Sequence, residues 1–383
     1  MADEKTENLV VGLIHEVDAQ LKNVHTQSLD ISFNELAGMV EDGELDISPD
    51  YQRLFLWSEG ARSRFIESLL LEMPVPPIYV VEADDNRKQL IDGLQRLSSY
   101  LHFRGMLDAP HLSPPVKKRD KLVLSDCDIV KSLNGKTFDD LGLALQIKLK
   151  RSFVRVEVVR KGSNPKFKYH MFKRLNTGGE ALTAQQLRNC TIRLLDPKFN
   201  DFVIDLADNN ADFKSCIETI SEEQMYGAYD KELVLRFFAL KNWLSRFKHD
   251  VADFLTEYME SVSDPDSTEV FNYEKEKAIF GKTFSVLAGA LGSRAFSRAN
   301  KTQDGLIRAF GIYHFEAFCV GIQSHLDKFD VTSDVGRQKA QSVLTSIKLN
   351  PDFIALTTGG GKNSPGPLKE RINFVSEKLQ EYL

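Results

Sequence analysis

Gln89-Leu90-Ile91-Asp92-Gly93-Leu94-Gln95-Arg96-Leu97-Ser98-Ser99-Tyr100 is the stretch from which the fold can be read. Leu90 and Ile91 end a short apolar run with strand character. Asp92 and Gly93 break it. From Leu94 the apolar residues fall at Leu94, Leu97, Leu101 and Phe103, close to a helical period. The spacing predicts strand, tight turn, helix. Gly93 lets the backbone turn closely and leaves room for a ligand. The N–H groups of the first helical turn have no intrahelical partner, and the positive end of the helix dipole stands behind them. Such a turn can take an anion, and Arg96 adds a fork of donors suited to phosphate. The same pattern also describes an ordinary strand-to-helix turn with a surface arginine, so the local sequence leaves both readings open.

Working outward, the flanking segments read as α/β. Thr26 is followed by a strand over Gln27 to Ile31. Ser32 then caps a helix, with Glu35 at capping-box spacing, that ends near Asp42-Gly43. Tyr51-Gln52-Arg53 falls in a loop. Ser58 caps the next helix, which buries Phe65, Ile66, Leu69 and Leu70. Pro74, Pro76 and Pro77 end that helix and lead into a strand over Ile78 to Glu82. Asp84-Asp85-Asn86 turns back into Gln89 to Ile91. Downstream, Gly105 to Asp120 reads as a surface loop. Phe153 to Val159 alternates as a strand. A helix runs from Gly162-Ser163-Asn164-Pro165 to about Leu175, two glycines end it, and Thr183 caps a short helix through Arg188. Upstream, Val10, Leu13, Ile14, Val17 and Leu21 make one face of an amphipathic helix that packs on the domain or on a partner.

Strand signals fade after about residue 195. Val203–Leu206, Leu233–Trp243, Phe254–Met259, Phe284–Leu291, Leu306–Phe318 and Ala340–Ile347 all carry helix-like spacing. The fold class expected is α+β: an N-terminal helix over 1–26, an α/β domain over 27–194 and an α-helical domain over 195–383. Tyr226, Tyr229, Phe237, Phe238 and Trp243 read as core at this spacing rather than as a base-stacking surface. The Gly359-Gly360-Gly361 segment lacks P-loop spacing and reads as a linker.

Three motifs in order resemble the N-terminal domain family of GmrSD-type restriction endonucleases, which has a ParB/sulfiredoxin-like fold. Asp92-Gly93-Leu94-Gln95-Arg96 is similar to its Asp-Gly-Gln-Gln-Arg motif. Tyr51-Gln52-Arg53 followed by Trp57 is similar to its Tyr-Gln-Arg…Trp segment. Phe172-Lys173-Arg174-Leu175-Asn176-Thr177-Gly178-Gly179, then Leu182 and Leu187, resembles its Phe-x-x-Leu-Asn-x-Gly-Gly…Leu signature. The resemblance covers roughly residues 27–245. It implies nucleotide binding and hydrolysis at the central turn, in phage-defence proteins that act on modified DNA. It departs at Leu94, where the family has Gln. Sulfiredoxin has a nucleophilic Cys at that position, so Leu94 excludes sulfiredoxin chemistry. Loss of the Gln bears on hydrolysis more than on binding, because backbone N–H groups survive it.

On this resemblance the cofactors expected are an NTP and Mg²⁺. A triphosphate needs several donors and usually Mg²⁺ held by carboxylate or water. Arg53, Arg96 and Arg174 would supply charge, Asp92 would hold the metal or a water, and Gln95 would orient an attacking water. Gln52, Asn176 and the backbone at Gly93 and Leu94 complete the binding set. For an isolated arginine, a solvated surface ion pair is the commoner fate.

At 383 residues, with 42% hydrophobic and 27% charged residues, the chain is long enough for one large domain or two. A net charge of −6 argues against a generic nucleic-acid coat and leaves a local basic groove open. Cys127, Cys190, Cys216 and Cys319 lack paired spacing, which points to a reducing compartment, and with no signal peptide or membrane-length apolar run the expectation is cytoplasmic. GmrSD-type enzymes cut DNA with a His-Asn-His domain. None of the eight histidines falls at that motif's spacing, so cleavage is expected from another subunit. The expected role is a nucleotide-dependent sensor or regulatory component of a bacterial DNA-restriction system. Its partners would be a nucleotide, DNA, a nuclease or ATPase subunit and a second copy of itself, with no membrane. The alternative is a ParB-like DNA-binding adaptor without NTP turnover.

Overall fold

The computed structural model describes residues 12–15, 17–19, 22, 24–47, 57–109, 114–175, 183–248 and 250–382. The chain divides into two compact units, Met1–Ala181 and Leu182–Leu383. The first is α/β. Its strands are β1 (Thr26–Ser32), β2 (Leu45–Asp46), β3 (Ile78–Glu82), β4 (Lys88–Asp92) and β5 (Phe153–Val159), in the order β1-β5-β3-β4-β2. β1 runs antiparallel to β5 and β3 antiparallel to β4, whereas β3–β5 and β2–β4 are parallel. The hairpin expected at Asp84-Asp85-Asn86 is present, closed by Ala83 N–H to the Arg87 carbonyl at 2.8 Å.

Helices α1 (Phe33–Glu41), α2 (Glu59–Leu70), α3 (Leu94–Phe103), α4 (Gly142–Arg151) and α5 (Pro165–Leu175) complete the unit. Ser32 and Ser58 cap α1 and α2 as their sequence predicts, each accepting from an N–H three residues on. α3 buries Leu97, Tyr100, Leu101 and Phe103 in a core shared with Phe33, Ile66, Ile78, Leu90 and Val156. Phe33 meets Tyr100 at 5.4 Å and Phe65 at 5.7 Å between ring centroids. Two readings change. β2 is only two residues long and has no alternation to betray it. The segment read as surface loop 105–120 is partly internal: Leu107, Ala109 and Val116 are buried, and Ala109 bridges Val116. Of the N-terminal apolar face, Leu13, Ile14 and Val17 are exposed; Val10 and Leu21 lie outside the described residues.

The second unit is helical, comprising α6 (Ala184–Thr191), α7 (Pro197–Asn209), α8 (Ala211–Cys216), α9 (Glu222–Tyr226), α10 (Tyr229–Trp243), α11 (Val251–Ser263), α12 (Tyr273–Leu291), α13 (Ile312–Gly321), α14 (Asp334–Lys348), α15 (Pro351–Thr357) and α16 (Pro365–Tyr382). Phe213, Phe237, Phe238, Phe280 and Phe284 are fully buried, so the aromatic stretch on α10 is core for those of its residues that face inward. Tyr226, by contrast, is exposed. One helix is corrected. Leu306–Phe318 is not continuous: Leu306–Phe310 is strand β7, paired antiparallel with β6 (Ser297–Ala299), and α13 starts only after Gly311. Gly305 and Gly311 bracket the strand, and the helical spacing belongs to residues 312–318 alone. No helix among the described residues is long and apolar enough to cross a membrane.

Candidate functional site

The turn between β4 and α3 has the predicted form. Gly93 stands at the N-cap with φ 107°, a left-handed conformation that strains any residue with a Cβ. A Cβ there would also lie 2.7 Å from Ile78 Cγ1 on β3. Both facts demand glycine. α3 carries no side-chain cap, unlike α1 and α2, and the first helical bond is Leu97 N–H to the Gly93 carbonyl at 3.0 Å. The N–H groups of Leu94, Gln95 and Arg96 therefore lie in the uncapped first turn.

The side chains of the turn are organised around the backbone of its neighbours. Arg96 is buried, and its fork points back rather than outward. Nη2 donates to Asp92 Oδ2 at 2.8 Å and Nη1 to the Pro76 carbonyl at 3.0 Å. Arg96 thus ties the end of β4, the start of α3 and the loop entering β3. Asp92 remains 38% exposed in its side chain. Gln95 Oε1 accepts from the Trp57 N–H at 3.1 Å, and its carbonyl accepts from Ser99 Oγ at 2.6 Å. Leu94, the departure from the family motif, packs half-buried against the hydrophobic core. Its side chain belongs to packing, and only its backbone faces the turn.

The turn thus brings together Asp92, Gly93, Leu94, Gln95 and Arg96. Arg174 is exposed in the last turn of α5, the helix that lies against β4. Gln52, Arg53 and Asn176 lie outside the described residues. Two further residues belong to this neighbourhood and carry no motif. Arg62 on α2 donates through Nε to the Trp57 carbonyl at 2.8 Å and stands 3.2 Å from His102 Nδ1 on α3. Burial lowers the Arg62 pKa, and burial with the nearby guanidinium depresses His102 to about 4. His102 is neutral and can accept. The Trp57 peptide groups are thereby gripped from both sides, by Gln95 and Arg62. No sequence motif marks this pair, since Ser58 and Glu59 neighbour Arg62 and Ser98 and Ser99 neighbour His102 at helical spacing.

For a metal, the turn offers one carboxylate, Asp92, whose Oδ2 is held by Arg96. Mg²⁺ is commonly bound through one or two carboxylates plus substrate phosphates, so this donor set fits a metal that arrives with a nucleotide and not a preformed cage. No cluster of three or more His, Cys, Asp or Glu suited to a metal occurs among the described residues.

Comparison with known proteins finds one family. Residues 34–193 match the model described as GmrSD restriction endonuclease, N-terminal domain. No curated protein and no solved structure matches the chain. The matched span runs from α1 to just past α6 and contains the whole Gly93 turn with its supporting strands. Residues 34–193 of the chain are thus similar to the N-terminal domain of GmrSD restriction endonucleases.

Proposed function

We propose that the first unit, as a ParB/sulfiredoxin-like domain, binds NTP phosphates on the N–H groups of Leu94, Gln95 and Arg96, and that the chain is a nucleotide-dependent sensor or regulatory component of a bacterial restriction system. One observation carries this reading: α3 begins at a left-handed glycine with no side-chain cap, beside a half-exposed carboxylate. An uncapped helix start of this kind accepts anionic oxygen through backbone donors and the helix dipole. Mg²⁺ held by Asp92 and the phosphates would neutralise charge as the terminal phosphate leaves. Asp92 sets the carboxylate position, Arg96 holds Asp92 and the loop at Pro76 in place, and Gln95 stands where its amide can orient a water. The chain would act on DNA through its helical unit or through a nuclease or ATPase partner.

Arg96 is therefore assigned to positioning, with its remaining N–H donors turned to phosphate when nucleotide binds. The test is titration of a fluorescent NTP analogue with Mg²⁺ into the full chain and its Asp92→Ala and Arg96→Ala variants, with phosphate release followed in parallel. Asp92→Ala should impair release more than binding, because a metal or water contact matters mostly in the transition state. Arg96→Ala should weaken binding about tenfold or more. A wild-type chain that shows no saturable binding, or variants that bind and turn over as wild type, would remove the nucleotide reading. Binding without phosphate release, with or without DNA, would instead select the adaptor without turnover.

A further inference from the structure

β6 and β7 form a two-stranded ribbon in a unit that is otherwise helical, and no third strand joins them among the described residues. One side is anchored. Phe296, preceding β6, meets Phe310 of β7 at 5.8 Å and Phe315 of α13 at 4.9 Å between ring centroids, and Ser297 is buried. The ribbon also carries exposed cations. Arg298 on β6 and Arg308 on β7 are exposed, Lys301 stands at the tip, and exposed Arg294 lies in the short turn leading in. The stem of Arg298 packs over Gly311: a Cβ on that glycine would stand 3.1 Å from Arg298 Cγ.

The charge on this ribbon runs against the rest of the molecule. The chain as a whole is acidic, at −6. Every other arginine of the second unit lies within 4 Å of a carboxylate. Arg294 and Arg298 do not, among the described residues, and both belong to this ribbon. Arg308 pairs with Glu218 at 2.9 Å, but both side chains are more than half exposed, so the pair exchanges readily with solvent or another anion. The one acid between 294 and 308 is Asp304. It accepts from Asn300 Nδ2 at 2.6 Å and Thr302 Oγ1 at 2.7 Å, which hold it ionised while it closes the turn, and it stands against four cations, Arg294, Arg298, Lys301 and Arg308. That turn is further held by Asn300 Oδ1, which accepts from Asp304 N–H at 3.1 Å, and it places Gln303 at φ 59° on the tip.

Guanidinium groups on a rigid ribbon suit a partner that presents regularly spaced, solvent-facing phosphates. A two-stranded antiparallel ribbon has the width of the DNA major groove. We infer that the β6–β7 ribbon is the surface by which the second unit contacts duplex DNA, with Arg294, Arg298 and Lys301 on backbone phosphates and Arg308 exchanging Glu218 for one. The inference rests on the reading that the chain serves a DNA-directed system, and it names the surface that does so.

The test is fluorescence anisotropy of a short labelled DNA duplex with the full-length chain over a salt series. Wild type should bind with a salt dependence of several counterions. The double variant Arg294→Ala/Arg298→Ala should weaken binding about tenfold or more at low salt and reduce the slope of log affinity against log salt by about two. Arg298→Glu should weaken it further. Lys277→Ala, which removes an exposed cation paired with Asp205 at 3.1 Å, should bind as wild type. Circular dichroism checks each fold, and nucleotide titration of the same variants separates the two sites. Loss of DNA with nucleotide binding intact supports the ribbon. A chain that never binds nucleotide yet loses DNA in the ribbon variants removes the nucleotide reading and keeps this one. Wild type that fails to bind duplex, ribbon variants with unchanged affinity and slope, or binding of polyglutamate without binding of duplex would overturn it, the last by assigning the ribbon to an acidic protein.

Discussion

Replacing Lys348 by methionine should stabilise the protein, and by an amount that depends on pH. Lys348 ends α14 fully buried. Its Nζ lies 3.5 Å from His314 Nδ1 and 3.9 Å from the centre of the Phe318 ring, and no carboxylate pairs with it among the described residues. Burial pushes the amine from 10.5 down to about 7, with the neighbouring Cys319 and Cys216 opposing only in part. That displacement, at about 1.4 kcal/mol per tenfold change, costs folding roughly 5 kcal/mol when the unfolded lysine is fully protonated. The sign follows from proton counts. Between pH 7 and 10.5 the unfolded chain keeps this proton and the folded chain has shed it, so stability rises with pH. Below pH 7 both forms are protonated and the penalty is complete. Lys348→Met keeps the length of the stem and removes the charge. Urea unfolding of both proteins should show the variant more stable by several kcal/mol at about pH 6 and the gap smaller by roughly 2 kcal/mol at about pH 8.5. Comparing the two proteins at each pH cancels the titrating groups remote from Lys348; His314, whose imidazole burial and the lysine both hold neutral, is a neighbour that changes with it. A gap of constant size, or a variant less stable than wild type throughout, would refute the reasoning.

Three further outcomes are expected. Gly93→Ala should cost more than about 2 kcal/mol, from a left-handed backbone and the contact with Ile78 together, and should lower the unfolding midpoint in urea. Arg371→Met should destabilise by about 3–5 kcal/mol: Arg371 is fully buried, pairs with Glu316 and donates to the Lys362 carbonyl at 2.7 Å, so limited proteolysis should then cut near Gly359–Gly361. Leu94→Gln, which restores the family residue, should lose on the order of 1 kcal/mol of packing and leave nucleotide affinity unchanged while raising phosphate release.

Much of the first unit was legible because its signals are local. Ser32 and Ser58 each cap the helix that follows them, as Thr183 does at the start of the second unit, and the three prolines from Pro74 deliver the chain to Ile78 where β3 starts. β5 shows itself by alternation over seven residues. What stayed hidden is long-range. β2 exists only because Leu45 and Asp46 pair with Lys88 and Gln89, and two residues hold no period. The burial of Leu107 and Val116 likewise depends on where the loop lands. β7 was hidden for another reason: its five residues abut α13, so apolar residues from a strand and a helix merge into one apparent helical spacing. At the site, the sequence indicates which residues gather at the turn and misses where Arg96 points. Its partner at Pro76 lies 20 residues upstream. Arg62 and His102 meet across 40 residues, and nothing in either helix alone announces the other.

The grip on Trp57 sets up a competition. Its N–H is bonded to the amide oxygen of Gln95, the side chain assigned to orient a water at the turn. One oxygen lone-pair direction cannot serve a tryptophan peptide and an incoming water at full strength. If Gln95 swings toward a bound nucleotide, Trp57 keeps only the Arg62 bond to its carbonyl. Trp57 is also the last residue of the Tyr51–Trp57 motif. Occupancy of the Gly93 turn and the hold on Trp57 would then exchange a single hydrogen bond, so that filling one loosens the other.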